Sequence, residues 1–168
     1  MPKKIAIIGP ESSGKSTLSK QLALHFNESF LPEYGRIYLE THGTDYIFDD
    51  LEKICRKMMD LENTQIKNAS KFLFCDTDLL MMKVWYEVKF NRISEYLKEQ
   101  LSKTTYDYYF ICSPDLPWQD DPVRENPHIR EMLFERYIQE VEQNGIPYTI
   151  INGNDRVEKA ISVLEALF

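Results

Sequence analysis

Residues 4–17 read Lys-Ile-Ala-Ile-Ile-Gly-Pro-Glu-Ser-Ser-Gly-Lys-Ser-Thr, and no other stretch of the chain is as informative. Its first half is a short β-branched run ending at Gly9, which is typical of a strand buried on both faces. Residues 9–16 match the pattern G-x-x-x-x-G-K-[ST], and Leu18, Leu22 and Phe26 then repeat at helical spacing. The stretch therefore predicts a strand, a glycine-rich loop and an amphipathic helix in direct succession.

The loop over residues 9–16, called the phosphate loop below, has the features of an anion cradle. Its glycines let the main chain curl around a β-phosphate, and N–H groups at the positive end of the helix satisfy the phosphate oxygens. Lys15 adds a charge toward the β- and γ-phosphates, and Ser16 supplies a hydroxyl for Mg²⁺. We therefore expect ATP and Mg²⁺ as cofactors. Nucleotide contacts are expected from Gly9, Pro10, Glu11, Ser12, Ser13, Gly14, Lys15, Ser16 and Thr17.

Apolar runs recur four more times along the chain, with segments of helical periodicity between them. The predicted strands cover residues 4–9, 29–32, 72–75, 108–112 and 148–151. About six helices are predicted. The first follows Gly14, and the others cover residues 49–69, 79–90, 93–101, 129–142 and 157–168. This alternation predicts an α/β three-layer sandwich with a parallel sheet, whose ligands bind at the carboxyl ends of the strands.

Length and composition narrow the class of protein. A chain of 168 residues with 43% hydrophobic and 28% charged residues is expected to form one globular domain over residues 1–168. A net charge of −7 argues against non-specific nucleic-acid binding. No apolar stretch is long enough for a membrane span or a signal peptide, so we expect a cytoplasmic protein that acts on small molecules. The oligomeric state is not predicted.

Other motifs indicate which kind of phosphate-loop protein this is. A switch GTPase needs N-K-x-D and D-x-x-G, and neither pattern occurs in the chain. Mechanical ATPases usually need more chain for coupling and for contacts between subunits. A small kinase fits its substrate pocket and lid into a domain of this size, so a kinase is the economical interpretation.

Acidic residues follow two of the predicted strands. Asp76 comes at the carboxyl end of a buried strand, where it can hold Mg²⁺ or accept a substrate proton. Asp78 is predicted either to contact substrate or to cap the next helix. Glu33 could bind or deprotonate a hydroxyl, with Tyr34 and Arg36 beside it as further substrate contacts. The alternative for Glu33 is a helix start.

Residues 113–130 form an irregular, proline-rich stretch that we interpret as a mobile lid. Its closure would bring Arg124, and Arg130 from the following helix, onto the transferring phosphoryl group and the nucleotide. Trp118 is a candidate substrate contact. Glu11 does not fit the anion cradle unless it points outward or meets a cation such as Arg36 or Arg124.

Four motifs together resemble a known family: residues 9–17, Glu-Tyr-Gly-Arg at 33–36, Asp-Thr-Asp at 76–78, and Pro-Trp-x-x-Asp-x-x-Arg at 117–124. Their order and spacing are similar to those of the ribosylnicotinamide kinase domain of NadR-type NAD biosynthesis proteins. The resemblance implies strand order 2-3-1-4-5 and ATP-dependent phosphorylation of the 5′-hydroxyl of nicotinamide riboside. From the motifs themselves we expect catalytic roles for Lys15, Glu33, Asp76 and Arg124, with Ser16 and Asp76 at the metal.

The sequence departs from that family in two places. NadR proteins carry further domains upstream of the kinase, and because Met1 lies eight residues before the phosphate loop, we expect their activities to be absent here. Asp121-Pro122 stands where the family's lid often reads Asp-Gly, which stiffens the lid. The aromatic residue that stacks on the pyridine ring stays open among Tyr34, Trp85 and Trp118, and the alternative for Trp85, which lies in an apolar helical stretch, is packing in the core. Alternatives to this function are a kinase of another small hydroxyl substrate, such as a deoxynucleoside or a shikimate-like compound, or an ATP-binding regulatory module without catalysis.

Overall fold

A computed structural model describes all residues, 1–168. Its sheet has five parallel strands in the order β2-β3-β1-β4-β5. The strands are β1 (Lys3–Ile8), β2 (Phe30–Leu31), β3 (Phe72–Asp76), β4 (Tyr108–Cys112) and β5 (Tyr148–Ile151). The predicted fold class and strand order are therefore confirmed.

Seven helices surround this sheet, one more than the sequence predicted. They are α1 (Lys15–Phe26), α2 (Tyr34–His42), α3 (Phe48–Gln65), α4 (Leu79–Phe90), α5 (Glu95–Lys103), α6 (Arg130–Gln143) and α7 (Arg156–Leu167). The additional helix is α2, which begins directly after Glu33, where the sequence offered a helix start as the alternative. It has only nine residues and carries Gly35 in its first turn, where glycine weakens helical propensity. None of the seven combines the length and the apolar character that crossing a membrane requires.

The helices form two layers on the sheet and a lateral cluster. Helices α1 and α7 pack on one face, against side chains such as Ile7 and Phe74. Helices α4 and α6 cover the other face, against Ile8 and Cys75. A third apolar cluster joins α2, α3, α4 and α5. Since parallel strands end at one edge of the sheet, the residues that follow β1, β2 and β3 meet there.

Glu28 ties the segment before β2 to the start of β3. Its carboxylate accepts the backbone N–H groups of Ser70, Lys71 and Phe72 at 3.0, 2.5 and 3.1 Å. Burial would raise the pKa of this carboxyl, but the three donors outweigh it and hold that pKa below its ordinary value of 4.5. Glu28 therefore stabilises the edge of the sheet in its ionised form.

We predict that Glu28→Gln lowers the free energy of unfolding at pH 7 by about 1–2 kcal/mol, because hydrogen bonds to a charged acceptor are replaced by neutral ones. The contribution of ionised Glu28 is present above about pH 4.5 and is lost as the pH falls through its lower folded-state pKa. Urea unfolding of both proteins should therefore show a gap that closes in acid. Glu158→Gln, on exposed α7 surface, is the control, and a gap unchanged at low pH would contradict this role.

Candidate active site

The phosphate loop joins β1 to α1 in a conformation that requires glycine at both ends. At Gly9 the backbone φ is +155°, and a Cβ there would lie 2.6 Å from the carbonyl oxygen of Cys112. At Gly14 the φ is +82°, a left-handed conformation immediately before the first residue of α1. Glycine is therefore required at residue 9 because the backbone of Cys112 lies so close, and at residue 14 because the backbone is left-handed there.

Arg130 and Arg156 hold the outer side of the phosphate loop. Arg130 donates from Nε to the carbonyl oxygen of Glu11 and from Nη2 to that of Ser12, both at 3.0 Å. Arg156 donates from Nη1 to the carbonyl oxygen of Ser13 at 2.9 Å. In a trans peptide the N–H of the next residue points away from the carbonyl. Because the two guanidinium groups bind the carbonyl oxygens of residues 11–13, the N–H groups of residues 12–14 point away from these guanidinium groups.

The expectation for Arg130 therefore needs correction. It does not line the main cavity, and its nitrogens also bind the carbonyl oxygen of Leu116 at 2.8 Å. Its guanidinium binds main-chain carbonyl oxygens and positions the loop, whereas the sequence analysis expected it to contact the nucleotide.

Arg156 is fixed in turn by the ends of β4 and β5. Its Nη2 forms an ion pair with Asp115, and its Nε donates to the carbonyl oxygen of Gly153 at 3.0 Å. Asp115 also accepts the N–H of Gly153 at 2.7 Å and the hydroxyl of Ser113 at 2.8 Å. The sequence analysis missed Arg156, because no local pattern relates the first residue of α7 to a loop more than 140 residues earlier.

Three charged residues meet at the inner end of the phosphate loop. Lys15 has a side chain only 8% exposed, and its Nζ lies 3.3 Å from Oε2 of Glu33. Burial would lower the pKa of Lys15, but the carboxylates of Glu33 and Asp76 outweigh it and raise that pKa above its ordinary value. Lys15 therefore stays charged. The structure thus brings together three of the predicted catalytic residues.

Asp76, the last residue of β3, is buried beside the first turn of α1. Its Oδ2 accepts the hydroxyl of Ser16, whereas its Oδ1 is buried without a partner. Burial raises the pKa of Asp76 above its ordinary value, and the Lys15 charge opposes that shift. An unsatisfied buried carboxylate oxygen is a place where a cation or a donor from a ligand is expected.

This hydroxyl and carboxylate also fit a magnesium ion. Mg²⁺ in nucleotide sites usually takes one or two protein oxygens, with the remaining positions filled by phosphates and water. Ser16 and Asp76 lie together next to the phosphate loop and could supply such a pair, and their role at a metal stays a prediction. No group of three or more His, Cys, Asp or Glu side chains could form an all-protein metal site.

Asp78 has a structural role. It is fully buried, its Oδ1 accepts the N–H of Met81 at the start of α4, and its Oδ2 accepts the hydroxyl of Tyr109. Burial raises the pKa of Asp78 to about 6. Asp78 does not line the main cavity, so its assignment as a substrate contact is corrected to the alternative of a helix cap.

A cavity of about 520 Å³ extends from the phosphate loop to an apolar wall. Near the loop, the side chains of Thr17, Glu33, Arg36, Asp76 and Arg124 line it, together with Lys20, which the sequence analysis did not single out. The apolar wall consists of Ile37 and Leu39 from α2, Met81, Met82, Trp85 and Val88 from α4, and Leu133 and Tyr137 from α6. One end of the cavity is therefore charged and the other end is suited to an aromatic group.

Trp85 is the one candidate aromatic that faces this cavity. It packs on Gly35 so closely that a Cβ at residue 35 would lie 2.9 Å from its ring. Tyr34 instead belongs to the lateral helix cluster, with its ring 6.5 Å from that of Tyr38. Trp118 donates from Nε1 to Asp120 and lies outside the cavity lining. The structure therefore does not place Tyr34 and Trp118 in the cavity lining, and substrate contacts at these two residues stay predictions.

The lid is docked across the cavity. Arg36 forms an ion pair with Asp121 and another with Glu40 at 3.0 Å. Arg124 lines the cavity and donates to the carbonyl oxygen of Gln119 at 2.6 Å. Arg36 therefore clamps the lid to α2, in addition to lining the cavity.

Glu11 also binds the lid. Its two carboxylate oxygens accept the backbone N–H groups of Glu125 and Asn126 at 3.0 and 2.8 Å. Of the two arrangements that the sequence left open for Glu11, contact with a cation is not seen, because main-chain donors of the lid bind its carboxylate. Its carboxylate thus points outward from the phosphate loop, which is the other arrangement that the sequence allowed.

We predict that Arg156→Lys weakens the binding of a non-hydrolysable ATP analogue about tenfold, because lysine cannot reproduce the fork that holds Ser13, Asp115 and Gly153 together. Isothermal titration calorimetry measures this loss. Lys159→Ala, on the same helix, removes a bond to the carbonyl oxygen of Ile150 outside the loop and should leave the affinity unchanged. Equal affinities for wild type and Arg156→Lys would show that the loop does not depend on this clamp.

Comparison with known proteins agrees with this geometry. The NadR proteins of Escherichia coli (strain K12) and Salmonella typhimurium (strain LT2), each described as a trifunctional NAD biosynthesis/regulator protein, are both 28% identical to this chain. The alignments cover 96% and 90% of the chain but only 41% and 38% of those proteins. The chain thus spans about two-fifths of the length of these relatives.

Solved structures share the fold. A crystal structure of NadR in complex with NR superposes with a TM-score of 0.86 at 19% identity, covering 98% of this chain and 51% of the other. The deoxyadenosine kinase of M. mycoides with bound dCTP gives a TM-score of 0.62 at 18% identity, covering 98% and 100%. A family model described as an AAA domain matches residues 4–159. The chain therefore belongs to the AAA-domain family, and the resemblance to NadR-type kinase domains that its four motifs indicated is confirmed.

Proposed function

We propose that this protein phosphorylates the 5′-hydroxyl of nicotinamide riboside with ATP, giving nicotinamide mononucleotide and ADP. One observation carries the proposal: the acids Glu33 and Asp76 contact Lys15 and Ser16 of the phosphate loop, and all four residues line a single cavity that also has an apolar wall. A flat pyridine ring fits against Trp85 in that wall, and the ribose then lies between the wall and the acids. The similarity to NadR, which has been solved in complex with NR and in complex with NAD and AMP-PNP, supports this choice of substrate.

The residues near the phosphate loop have distinct parts in the transfer. Main-chain N–H groups of the loop bind the β-phosphate, and Lys15 neutralises charge on the γ-phosphoryl group as it moves. The acceptor oxygen attacks the γ-phosphorus while the bond between that phosphorus and the bridging oxygen of ADP breaks. The proton of the acceptor hydroxyl passes to the carboxylate pair of Glu33 and Asp76. Arg124, on the lid, also lines the cavity and adds positive charge there.

Ser16 and Asp76 would hold Mg²⁺, which neutralises phosphate charge when it is bound. Much of the rate enhancement then comes from holding the reacting groups in position. Lys15 and the two acids are fixed by burial and by mutual contacts, so little reorganisation is needed when the substrates arrive.

A deoxynucleoside is the second candidate acceptor. The deoxyadenosine kinase of M. mycoides matches over its entire length, whereas the NadR chains are matched over about half of theirs. Its TM-score is lower, 0.62 against 0.86, and for this reason we place nicotinamide riboside first. An ATP-binding module without catalysis is the third candidate, and the acid pair argues against it because a sensor needs no proton acceptor.

A coupled assay of ADP release over a panel of nucleosides distinguishes these candidates. We expect turnover with nicotinamide riboside and at least about tenfold lower kcat/KM with deoxyadenosine, deoxycytidine and shikimate. Lys15→Ala should lower kcat about 100-fold or more, since removal of one preorganised charge has effects of that size. Lys57→Ala, an exposed lysine of α3, is the charge-matched control.

Three results would contradict the proposal. Turnover of a deoxynucleoside or of shikimate, without turnover of nicotinamide riboside, would overturn the substrate. ATP binding without ADP release for any acceptor would favour the regulatory module. Full activity of Lys15→Ala would remove the phosphate loop from the reaction.

A further inference from the structure

Glu125, in the lid, contacts both ends of the cavity through different atoms. Its carboxylate Oε2 accepts the hydroxyl of Tyr46 at 2.7 Å, and that hydroxyl accepts the indole N–H of Trp85 at 2.8 Å. Its backbone N–H donates to the carboxylate of Glu11 in the phosphate loop at 3.0 Å. A continuous set of hydrogen bonds therefore runs from the apolar wall, through the lid, to the phosphate loop.

The middle of this set is buried and has no spare partners. Tyr46 is only 7% exposed, and its single hydroxyl is used both as acceptor and as donor. Lys89 lies 4.9 Å from the centre of the Tyr46 ring and 3.7 Å from Oε1 of Glu125. If the lid moved away, the Tyr46 hydroxyl would lose the acceptor for its proton, and a buried donor without a partner is costly. The position of Trp85 and the docked lid are thus linked.

The other end of this set of hydrogen bonds is the negatively charged carboxylate of Glu11. Glu11 carries a carboxylate within the loop that binds the triphosphate, and this charge repels the nucleotide unless it is held away. With the lid docked, the N–H groups of Glu125 and Asn126 bind both carboxylate oxygens. A docked lid therefore favours nucleotide binding in addition to covering the cavity.

We propose that Tyr46 and Glu125 couple the acceptor site to the nucleotide site, so that an acceptor ring on Trp85 tightens the binding of ATP. The inference rests on the proposed function, since it takes an aromatic acceptor to lie on the apolar wall. An acceptor that holds Trp85 in place keeps the Tyr46 hydroxyl aligned with Glu125, which keeps the lid docked and Glu11 engaged. By linkage, ATP tightens the binding of the acceptor by the same factor.

The test is the affinity of AMP-PNP with Mg²⁺, measured by calorimetry with and without saturating nicotinamide riboside. In the wild type we expect the riboside to lower the Kd of AMP-PNP by about tenfold, within the 5- to 150-fold range common for coupled sites. In Tyr46→Phe, which removes only the hydroxyl, the ratio of the Kd of AMP-PNP without riboside to that with riboside should fall to within about twofold of unity. The Kd of AMP-PNP alone should stay within about threefold of the wild-type value.

Tyr38→Phe is the matched control. Tyr38 is 8% exposed, belongs to the same helix cluster and donates to a carboxylate, that of Asp50, at 2.8 Å. Its hydroxyl binds Asp50 and not the lid, so its variant should keep the tenfold ratio of the two Kd values. Glu125→Ala removes the same link from the exposed lid and should abolish the ratio even if Tyr46→Phe loses stability.

Three outcomes would overturn the inference. A tenfold ratio retained in both Tyr46→Phe and Glu125→Ala would show that the coupling, if present, does not pass through these residues, and the proposed function would stand. A wild-type ratio near unity, with both ligands bound, would also leave that function intact. Absence of riboside binding to the wild type would instead overturn the proposed function, and the coupling with it.

Discussion

The ammonium group of Lys15 is buried 3.3 Å from the carboxylate of Glu33 and feels the charge of Asp76, and the rest of the site is arranged around it. An isolated buried charge is very costly, so a phosphate-loop lysine at 8% exposure needs acids nearby before the nucleotide arrives. The fold supplies them because β3 lies between β2 and β1, which places the residues after all three strands at one edge of the sheet. The same acids are then in position to receive a proton from an alcohol.

The phosphate loop depends on the same edge of the sheet. Arg156 reaches it from α7 and Arg130 from α6, and each binds carbonyl oxygens of the loop. The lid adds contacts on the opposite side, where Glu11 binds its backbone and Arg36 binds Asp121. Three of the residues that seemed from sequence to be ligands of phosphate or substrate thus also shape the loop or hold the lid.

Much of the fold followed from local patterns in the sequence, whereas parts of the site did not. Buried strands can be recognised in the sequence as short β-branched runs. The phosphate loop follows a fixed pattern, and the strand before it and the helix after it support its assignment. Helix α2 was predicted only as the alternative of a helix start at Glu33, because nine residues with Gly35 in the first turn give a weak signal. The roles of Asp78, Tyr34 and Trp118 depend on which way a side chain points after packing, and spacing alone does not determine that.

A crystal structure with a non-hydrolysable ATP analogue, magnesium and nicotinamide riboside tests the central claim most directly. The account predicts the β-phosphate within hydrogen-bond distance of the N–H groups of residues 12–16. It also predicts the 5′-oxygen about 3–3.5 Å from the γ-phosphorus, in reach of Glu33 or Asp76. A triphosphate bound away from the loop, or a riboside whose 5′-oxygen faces neither acid, would contradict it.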